Sequence, residues 1–328
     1  TQKADYGRAF IQARALDRRL KLAGFKMFEL AGQSFSAKDF KNSSKMYQYI
    51  MEEYPDGELY PYARRWLIQS KEELVKTTFP IDNQQIKELI GQYQQLIADV
   101  GITPKTVDAL RNMALLNAFY LQEHDRAIEI LQSAITGAGN NQKFKDQCKL
   151  DLGDIYILKD EPWESTLLYM QVEKSQREDN LGEIAKLKNA KLQYYTGQFE
   201  LSKEILDVLK KATTREISND AMQLSLLIQD NTGLDTSEVA MADFSKIDLL
   251  IFQNRYEESI VKLDALFKKY KSHSLADEIL WLKANTLLKI NRIDEAVADL
   301  KNILENYKYD ILADDALYTL AKVTEENL

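Results

Sequence analysis

Residues 280–307 read LWLKANTLLKINRIDEAVADLKNILENY, and they carry the clearest structural pattern of the chain. Apolar residues recur every three or four positions on both sides of a short polar turn, which predicts two amphipathic helices packed against each other. Ala284 precedes Ala296 by 12 positions, and the large residue Ile293 stands beside the turn. Small residues at the two alanine positions let the paired helices approach closely. The stretch therefore predicts a helical hairpin.

The same pattern recurs along the chain, which makes the hairpin a repeating unit. Clear copies place small and large residues at Ala31, Phe40, Ser43 and Tyr47, at Gly153, Tyr156, Ser165 and Tyr169, and at Ala190, Phe199, Ser202 and Leu206. Looser copies pass through Ala127 and Leu131 and through Tyr256 and Ser259, and a last one begins at Leu317. One hairpin alone buries too little apolar surface to offset the entropy of ordering its residues, so neighbouring hairpins are expected to stack.

Composition favours helices over strands. Gly (12) and Pro (5) together make up 17 of the 328 residues, whereas an average globular chain carries roughly 12% of the two. Strand-rich and α/β folds need these residues in their frequent turns. We therefore predict an all-α fold, an α-α superhelix of stacked antiparallel hairpins. It is expected to form a single domain over residues 1–328, with softer joints at 77–82, 136–142 and 230–236.

Between two of the clearer copies the chain is helical in pattern but follows the repeat loosely. An apolar stripe at helical spacing runs from Ile86 to Val100, and Asp82 stands before it as a candidate N-cap. A second helix is expected after Pro104, with its inward positions at Val107, Leu110 and Ala114. The longest uninterrupted apolar runs of the chain have four residues, far short of the roughly 20 that a membrane-spanning helix needs.

No group of residues has the spacing of an active site. The segment 137–139 is Gly-Ala-Gly, but no strand precedes it and no Lys-Ser or Lys-Thr follows, so a helix end with a turn is the simpler interpretation. His124 and His273 each lack a second His three or four residues away, and Cys148 has no His near it in sequence. We therefore expect no catalytic residues, no metal and no cofactor.

Charge is uneven along the chain. Residues 1–26 carry seven bases and two acids, a balance of +5, although the whole chain has a formal charge of −8. A basic amphipathic helix there could touch anionic lipid or nucleic acid. Its apolar positions instead favour packing on the next hairpin, and they are Tyr6, Phe10, Ala13 and Leu20. An acidic chain also lacks the broad surplus of Lys and Arg that nucleic acid requires, so we expect no nucleic-acid partner.

The hairpin spacing resembles the tetratricopeptide repeat (TPR), a helix–turn–helix unit of 34 residues, over about two thirds of the chain. In TPR proteins the first helix of each hairpin lines a concave groove that binds a protein or peptide. The resemblance implies partner-binding residues at Phe25, Phe28, Phe35, Asp154, Lys191, Tyr194, Tyr195, Phe244, Phe252, Trp281, Asn285 and Lys289. The alternative for each aromatic residue is a role in the core or in packing between repeats.

Three segments also resemble one TPR subclass. They are 52–63 (EEYPDGELYPYA), 268–281 (KKYKSHSLADEILW) and 305–318 (ENYKYDILADDALY). They look like repeats of bacterial cell-envelope proteins such as outer-membrane assembly lipoproteins and the Tol-Pal-associated coordinator. The resemblance implies a non-catalytic interaction scaffold that is periplasmic or associated with the outer membrane.

A second interpretation stays open at this point, namely a cytoplasmic TPR adaptor or the regulatory module of a larger effector. The start at Thr1 is compatible with a removed signal peptide and equally with a trimmed sequence. Any membrane anchor is expected only in a segment before Thr1. Because the last repeat stops part-way through, we also expect the natural chain to continue beyond Leu328.

Overall fold

A computed structural model describes residues 5–78, 80–177, 179–212, 214–232 and 238–326. In this part of the chain there are seventeen α-helices and no β-strand, which confirms the predicted all-α class. The helices are α1 (Tyr6–Leu20), α2 (Phe25–Ser36), α3 (Phe40–Glu53), α4 (Tyr60–Lys76), α5 (Asn83–Val100), α6 (Val107–Tyr120), α7 (His124–Gly137), α8 (Gln142–Leu158), α9 (Pro162–Ser175), α10 (Asn180–Tyr195), α11 (Phe199–Ala212), α12 (Arg215–Thr232), α13 (Glu238–Phe252), α14 (Tyr256–Lys269), α15 (Ala276–Lys289), α16 (Ile293–Asn306) and α17 (Ala313–Glu326).

The chain divides into two units, Thr1–Gly139 and Asn140–Leu328. Within each unit, every helix packs against the next helix in the chain. In the first unit α1 also reaches α3, and in the second α8 contacts α10, α10 contacts α12, and α13 contacts α15. Helices α8 and α10, like α13 and α15, are the first helices of successive hairpins, and these hairpins stack as the repeat requires.

Six hairpins in the described chain share one kind of turn, in which three residues join the two helices. They are α2–α3, α6–α7, α8–α9, α10–α11, α13–α14 and α15–α16. The middle residue of each turn has a positive φ, between 58° and 78°, at Lys38, Gln122, Asp160, Gly197, Asn254 and Asn291. In most of these turns the next backbone N–H donates to a carbonyl five residues back, as from Arg292 to Leu287 (2.9 Å). This left-handed C-cap ends the first helix and reverses the chain.

The small residues predicted at the helix crossings are buried and hold the hairpins together. Ser165 Oγ donates to the carbonyl of Gly153 at 2.7 Å, and Ser202 Oγ donates to the carbonyl of Ala190 at 2.8 Å, each 12 residues back. A Cβ at Gly153 would lie 2.3 Å from Cε1 of Tyr169. The second helix therefore lies too close for any larger side chain at that position.

The three tyrosine-containing segments form the same turn between hairpins. In each turn the Tyr carbonyl accepts from the N–H three residues later, at 3.0 Å for Tyr54, 2.9 Å for Tyr270 and 3.0 Å for Tyr307. The residue at that later position then accepts from the N–H a further three residues on. His273 belongs to this turn, because its Nδ1 accepts from the backbone N–H of Leu275 at 3.1 Å.

The softer joints fall between helices or at helix ends. Residues 77, 78 and 80–82 lie between α4 and α5, Phe79 lies outside the described residues, and 136–142 run from the end of α7 to the start of α8, where the two units divide. Residues 230–232 belong to α12, and 233–236 lie outside the described residues. The segment 137–139 ends α7, as expected, with Ala138 as its C-cap. No helix in the described ranges has the length and apolar character to span a bilayer.

Most of the predicted packing of the looser helices is confirmed. Asp82 caps α5, since its Oδ1 accepts from the N–H of Gln84 at 2.8 Å, and the predicted inward residues of α6 are buried. Leu20 was wrongly predicted to pack on the next hairpin, since it is 54% exposed. Val100, at the end of the apolar stripe of α5, is also 49% exposed. Each is the last residue of its helix, where the neighbouring helices do not cover it. Tyr6, Phe10 and Ala13 pack on the next hairpin as expected.

Candidate functional site

Several predicted groove residues come together in the second unit, around a cavity of about 700 Å³. We call it the acidic groove. Helices α10, α12, α13 and α15 form most of it, and the segment 311–315 completes it. Its apolar wall consists of Leu224, Leu226, Leu227, Trp281, Leu282, Ile311 and Leu312. Its charged lining residues are Lys191, Asp220, Asp230, Asp248, Glu278 and Asp315.

A smaller cavity of about 340 Å³ adjoins the acidic groove and shares Lys191, Tyr195 and Asp220 with it. The predicted residue Asp154 lies here, fully partnered. It accepts hydrogen bonds from the Tyr169 hydroxyl at 2.7 Å and from Lys188 Nζ at 2.7 and 2.8 Å. This carboxylate is therefore held in place by its own chain and is not free for a ligand.

The floor of the acidic groove is aromatic. Tyr194 is 1% exposed and Phe244 is 3% exposed, so both belong mainly to the core. Tyr195 is half-buried, with its ring centroid 5.4 Å from that of Tyr194 and 6.0 Å from that of Phe252. The Tyr194 hydroxyl lies beside Asp248 but makes no well-formed hydrogen bond. A buried hydroxyl without a good partner is uncommon in a folded protein.

Two carboxyl groups of the groove are shifted toward their protonated forms. Burial raises the pKa of Asp248 to about 6, against the opposing effects of Lys191 and the Tyr194 hydroxyl. Burial, together with the neighbouring Asp277 carboxyl, raises the pKa of Glu278 far above its usual value of 4.5. A carboxyl group removed from water and placed near another acid holds its proton more tightly. Strongly shifted acids in a cavity are typical of functional sites.

Glu278 is incompletely hydrogen-bonded. Its Oε1 accepts from Asn231 Nδ2 at 3.4 Å, whereas its Oε2 is buried and has no hydrogen-bond partner. Asn231 is itself positioned, because its Nδ2 donates to the Leu227 carbonyl at 2.9 Å and its Oδ1 accepts from the Ser274 hydroxyl at 2.7 Å. One oxygen of Glu278 is therefore left without a hydrogen-bond partner.

The other predicted residues lie elsewhere. In the first unit Phe25 is 55% exposed, Phe28 packs edge-on against Tyr47, and Phe35 packs against Phe40 and Trp66. These contacts make Phe28 and Phe35 part of a hairpin's packing, and only Phe35 borders a shallow depression.

On α15, Asn285 and Lys289 follow Trp281 but do not line the acidic groove. Asn285 Nδ2 donates to the Trp281 carbonyl at 2.9 Å. Lys289 Nζ lies 4.8 Å from the centroid of the Tyr256 ring. Asn285 thus bonds within its own helix, and Lys289 contacts the preceding hairpin.

The contribution of α12 was not expected from the repeat. Its residues Asp220, Leu224, Leu227 and Asp230 face the acidic groove, while its opposite face is buried. The repeat spacing is absent from this segment, so no groove positions could be carried onto it. A signal was nevertheless present, because apolar residues follow a helical period along 215–232.

Comparison with known proteins gives structural likenesses only. No family model matches the chain, and no curated protein matches it in sequence. A tetratricopeptide repeat protein from Parabacteroides merdae aligns with 12% identity over 92% of this chain and 99% of its own, with a TM-score of 0.45. The TPR domain of P58(IPK) aligns with 14% identity over 93% of this chain and 99% of its own, with a TM-score of 0.30. Both TM-scores are below 0.5.

Among the described residues, no group of three or more His, Cys, Asp or Glu side chains is arranged to hold a metal ion. The described lining of the acidic groove also contains no Ser, Cys or His. What the groove offers chemically is an apolar wall, an aromatic floor and several carboxyl groups. Such a lining is typical of binding pockets, which are mostly apolar with a few placed polar groups.

Proposed function

We propose that the protein is a non-catalytic interaction scaffold whose acidic groove binds a segment of a partner protein. The observation that carries the proposal is the groove itself, in which aromatic and aliphatic side chains lie next to polar atoms on four helices of one unit. Interfaces owe most of their binding energy to a few aromatic or large side chains set in well-packed pockets. Trp281, half-buried on the groove wall, is the side chain of that kind.

Site-specific photo-crosslinking tests this proposal directly. A photoreactive phenylalanine analogue at position 281 is expected to crosslink one partner protein in the native host. The same analogue at Trp163, which is 81% exposed on α9 and outside the groove, serves as the matched control. We expect Trp281→Ala to abolish co-purification of that partner with the protein, and Trp163→Ala to leave co-purification unchanged. Equal crosslinking at both positions would contradict binding in the groove.

We also propose a location in the bacterial cell envelope. It is supported by the resemblance of the three tyrosine-containing turns to envelope TPR proteins. The competing proposal is a cytoplasmic adaptor or a regulatory module of a larger effector. Fractionation of host cells producing the natural gene product distinguishes them, because an envelope protein would be found with periplasmic or membrane markers. Recovery with cytosolic markers alone would exclude the envelope.

A further inference from the structure

We propose that the acidic groove selects a basic segment, in which a Lys or Arg side chain of the partner enters beside Glu278 and Tyr194 while a neighbouring apolar residue packs on Trp281. This inference rests on the proposed function and specifies the chemistry of the partner. It is carried by the charge of the groove, by two buried polar atoms without good partners, and by the apolar wall that continues beyond them.

The charge of the groove favours a positively charged partner. The described lining holds five carboxyl groups and a single cation, Lys191. Lys191 already faces acids of its own chain, since its Nζ lies 4.0 Å from Asp220 and its charge lowers the pKa of Asp248. No Lys or Arg of the described chain forms an ion pair with Asp230, Glu278 or Asp315. A cationic partner therefore meets attraction there, and an acidic one meets repulsion.

Two buried atoms mark the place that we assign to the cation. Glu278 Oε2 and the Tyr194 hydroxyl are both buried, both belong to residues that line the groove, and neither has a well-formed hydrogen bond. Buried polar groups without partners are costly, and an ammonium or guanidinium supplies three to five N–H donors. A charged donor also forms the stronger kind of hydrogen bond with a carboxylate. A bound cation that displaces the proton of Glu278 would give both atoms a hydrogen-bond partner.

The apolar wall favours a peptide segment over a small free amine. Beyond the carboxyl groups it extends to Leu226, which is 40% exposed, and Ile311, which is 73% exposed. A free amine would leave these side chains in water, whereas a peptide with apolar residues beside its Lys or Arg would cover them. Burial of that surface is the main source of affinity in such grooves.

The protonation of two acids in the groove is consistent with binding of a cation. The raised pKa values of Asp248 and Glu278 mean that the empty groove keeps part of its charge neutralised by protons. A bound cation stabilises the ionised carboxylates and displaces those protons. The groups that face the two acids are Lys191, Tyr194 and Tyr195 for Asp248, and Asp277 and Asn231 for Glu278.

An unbiased selection tests the proposal. Random dodecapeptides displayed on phage are selected on the wild-type protein after depletion on Trp281→Ala. We expect the recovered sequences to be enriched in Lys or Arg flanked by apolar residues and depleted in Asp and Glu. Enrichment of acidic or uncharged sequences, or recovery of no peptide, would overturn the proposal. The proposed scaffold function would survive either result if position 281 still crosslinks a partner.

Matched variants then locate the cation. The best recovered peptide is expected to bind Glu278→Gln roughly tenfold more weakly, because one partner of a buried charge pair is lost. It should bind Glu305→Gln, altered at an exposed acid on α16, with unchanged affinity. Equal affinity for both variants would overturn the placement beside Glu278. If spermidine competes as strongly as the peptide itself, the groove is an amine site and the peptide assignment is wrong.

Discussion

Each unit contains an acid with a buried side-chain oxygen, Asp17 in the first and Glu278 in the second, and the two acids differ in their hydrogen bonds. In the first unit Asp17 is 0% exposed and accepts hydrogen bonds from the backbone N–H of Gly24 and from the hydroxyls of Tyr49 and Tyr54. In the second, Glu278 Oε2 and the Tyr194 hydroxyl lack such bonds. The two acids therefore differ in how fully their oxygens are hydrogen-bonded. A satisfied acid stabilises the fold, and an unsatisfied one is available to a ligand.

Removal of the satisfied acid should have the largest effect. Asp17→Ala leaves two tyrosine hydroxyls and one N–H without their acceptor, and we expect it to lower the free energy of unfolding by about 3 kcal/mol. Urea unfolding followed by circular dichroism measures this. Asp17→Asn keeps the shape and one acceptor, so it should cost less than Asp17→Ala. If Asp17→Ala were neutral, the contrast between the two acids would fail.

The contribution of a single bond is smaller. The Tyr54 hydroxyl donates to Asp17, and burial together with that bond raises the pKa of Tyr54, so the hydroxyl keeps its proton. Tyr54→Phe removes one donor to a charged acceptor and should cost about 1–2 kcal/mol in the same unfolding measurement. Tyr62→Phe, at a side chain that is 55% exposed, is the control and should be neutral.

Replacement of Glu278, the acid with an unpartnered oxygen, should raise the free energy of unfolding instead of lowering it. Below pH about 4.5 Glu278 is protonated in both the folded and the unfolded chain, so its raised pKa has no effect on stability. Above that pH the unfolded chain releases the proton while the folded chain retains it, and stability falls as pH rises. Glu278→Gln removes this loss, so we expect it to stabilise the protein at pH 8, and by more than at pH 5.

The measurement for Glu278→Gln is the difference in unfolding free energy from wild type at pH 5 and at pH 8. This difference should grow with pH, whereas that of Glu305→Gln should stay flat. Other acids of the chain cancel from the comparison, because they are common to both proteins. A Glu278→Gln variant that is less stable than wild type at pH 8 would mean that Glu278 has a structural partner.

Much of the fold could be predicted from the sequence, because each hairpin carries its own signals. The pair Gly153 and Ser165 marks a helix crossing, and Tyr270 marks a turn between hairpins. The groove was harder to predict. Tyr194 and Glu278 lie far apart in sequence, and the packing of α10, α13 and α15 decides which of their atoms lack partners. The α12 wall was missed because the repeat spacing is absent there.

The substitution with the smallest expected effect on stability, Tyr194→Phe, distinguishes the two units best. Tyr194 is more deeply buried than a typical surface tyrosine, yet its hydroxyl makes no well-formed hydrogen bond. Tyr194→Phe should therefore change the free energy of unfolding by less than about 0.5 kcal/mol, unlike Tyr54→Phe. It should still weaken binding of a basic peptide, because the peptide loses an acceptor in the groove. A cost as large as that of Tyr54→Phe, with binding unchanged, would make Tyr194 a structural tyrosine and remove the difference between the two units.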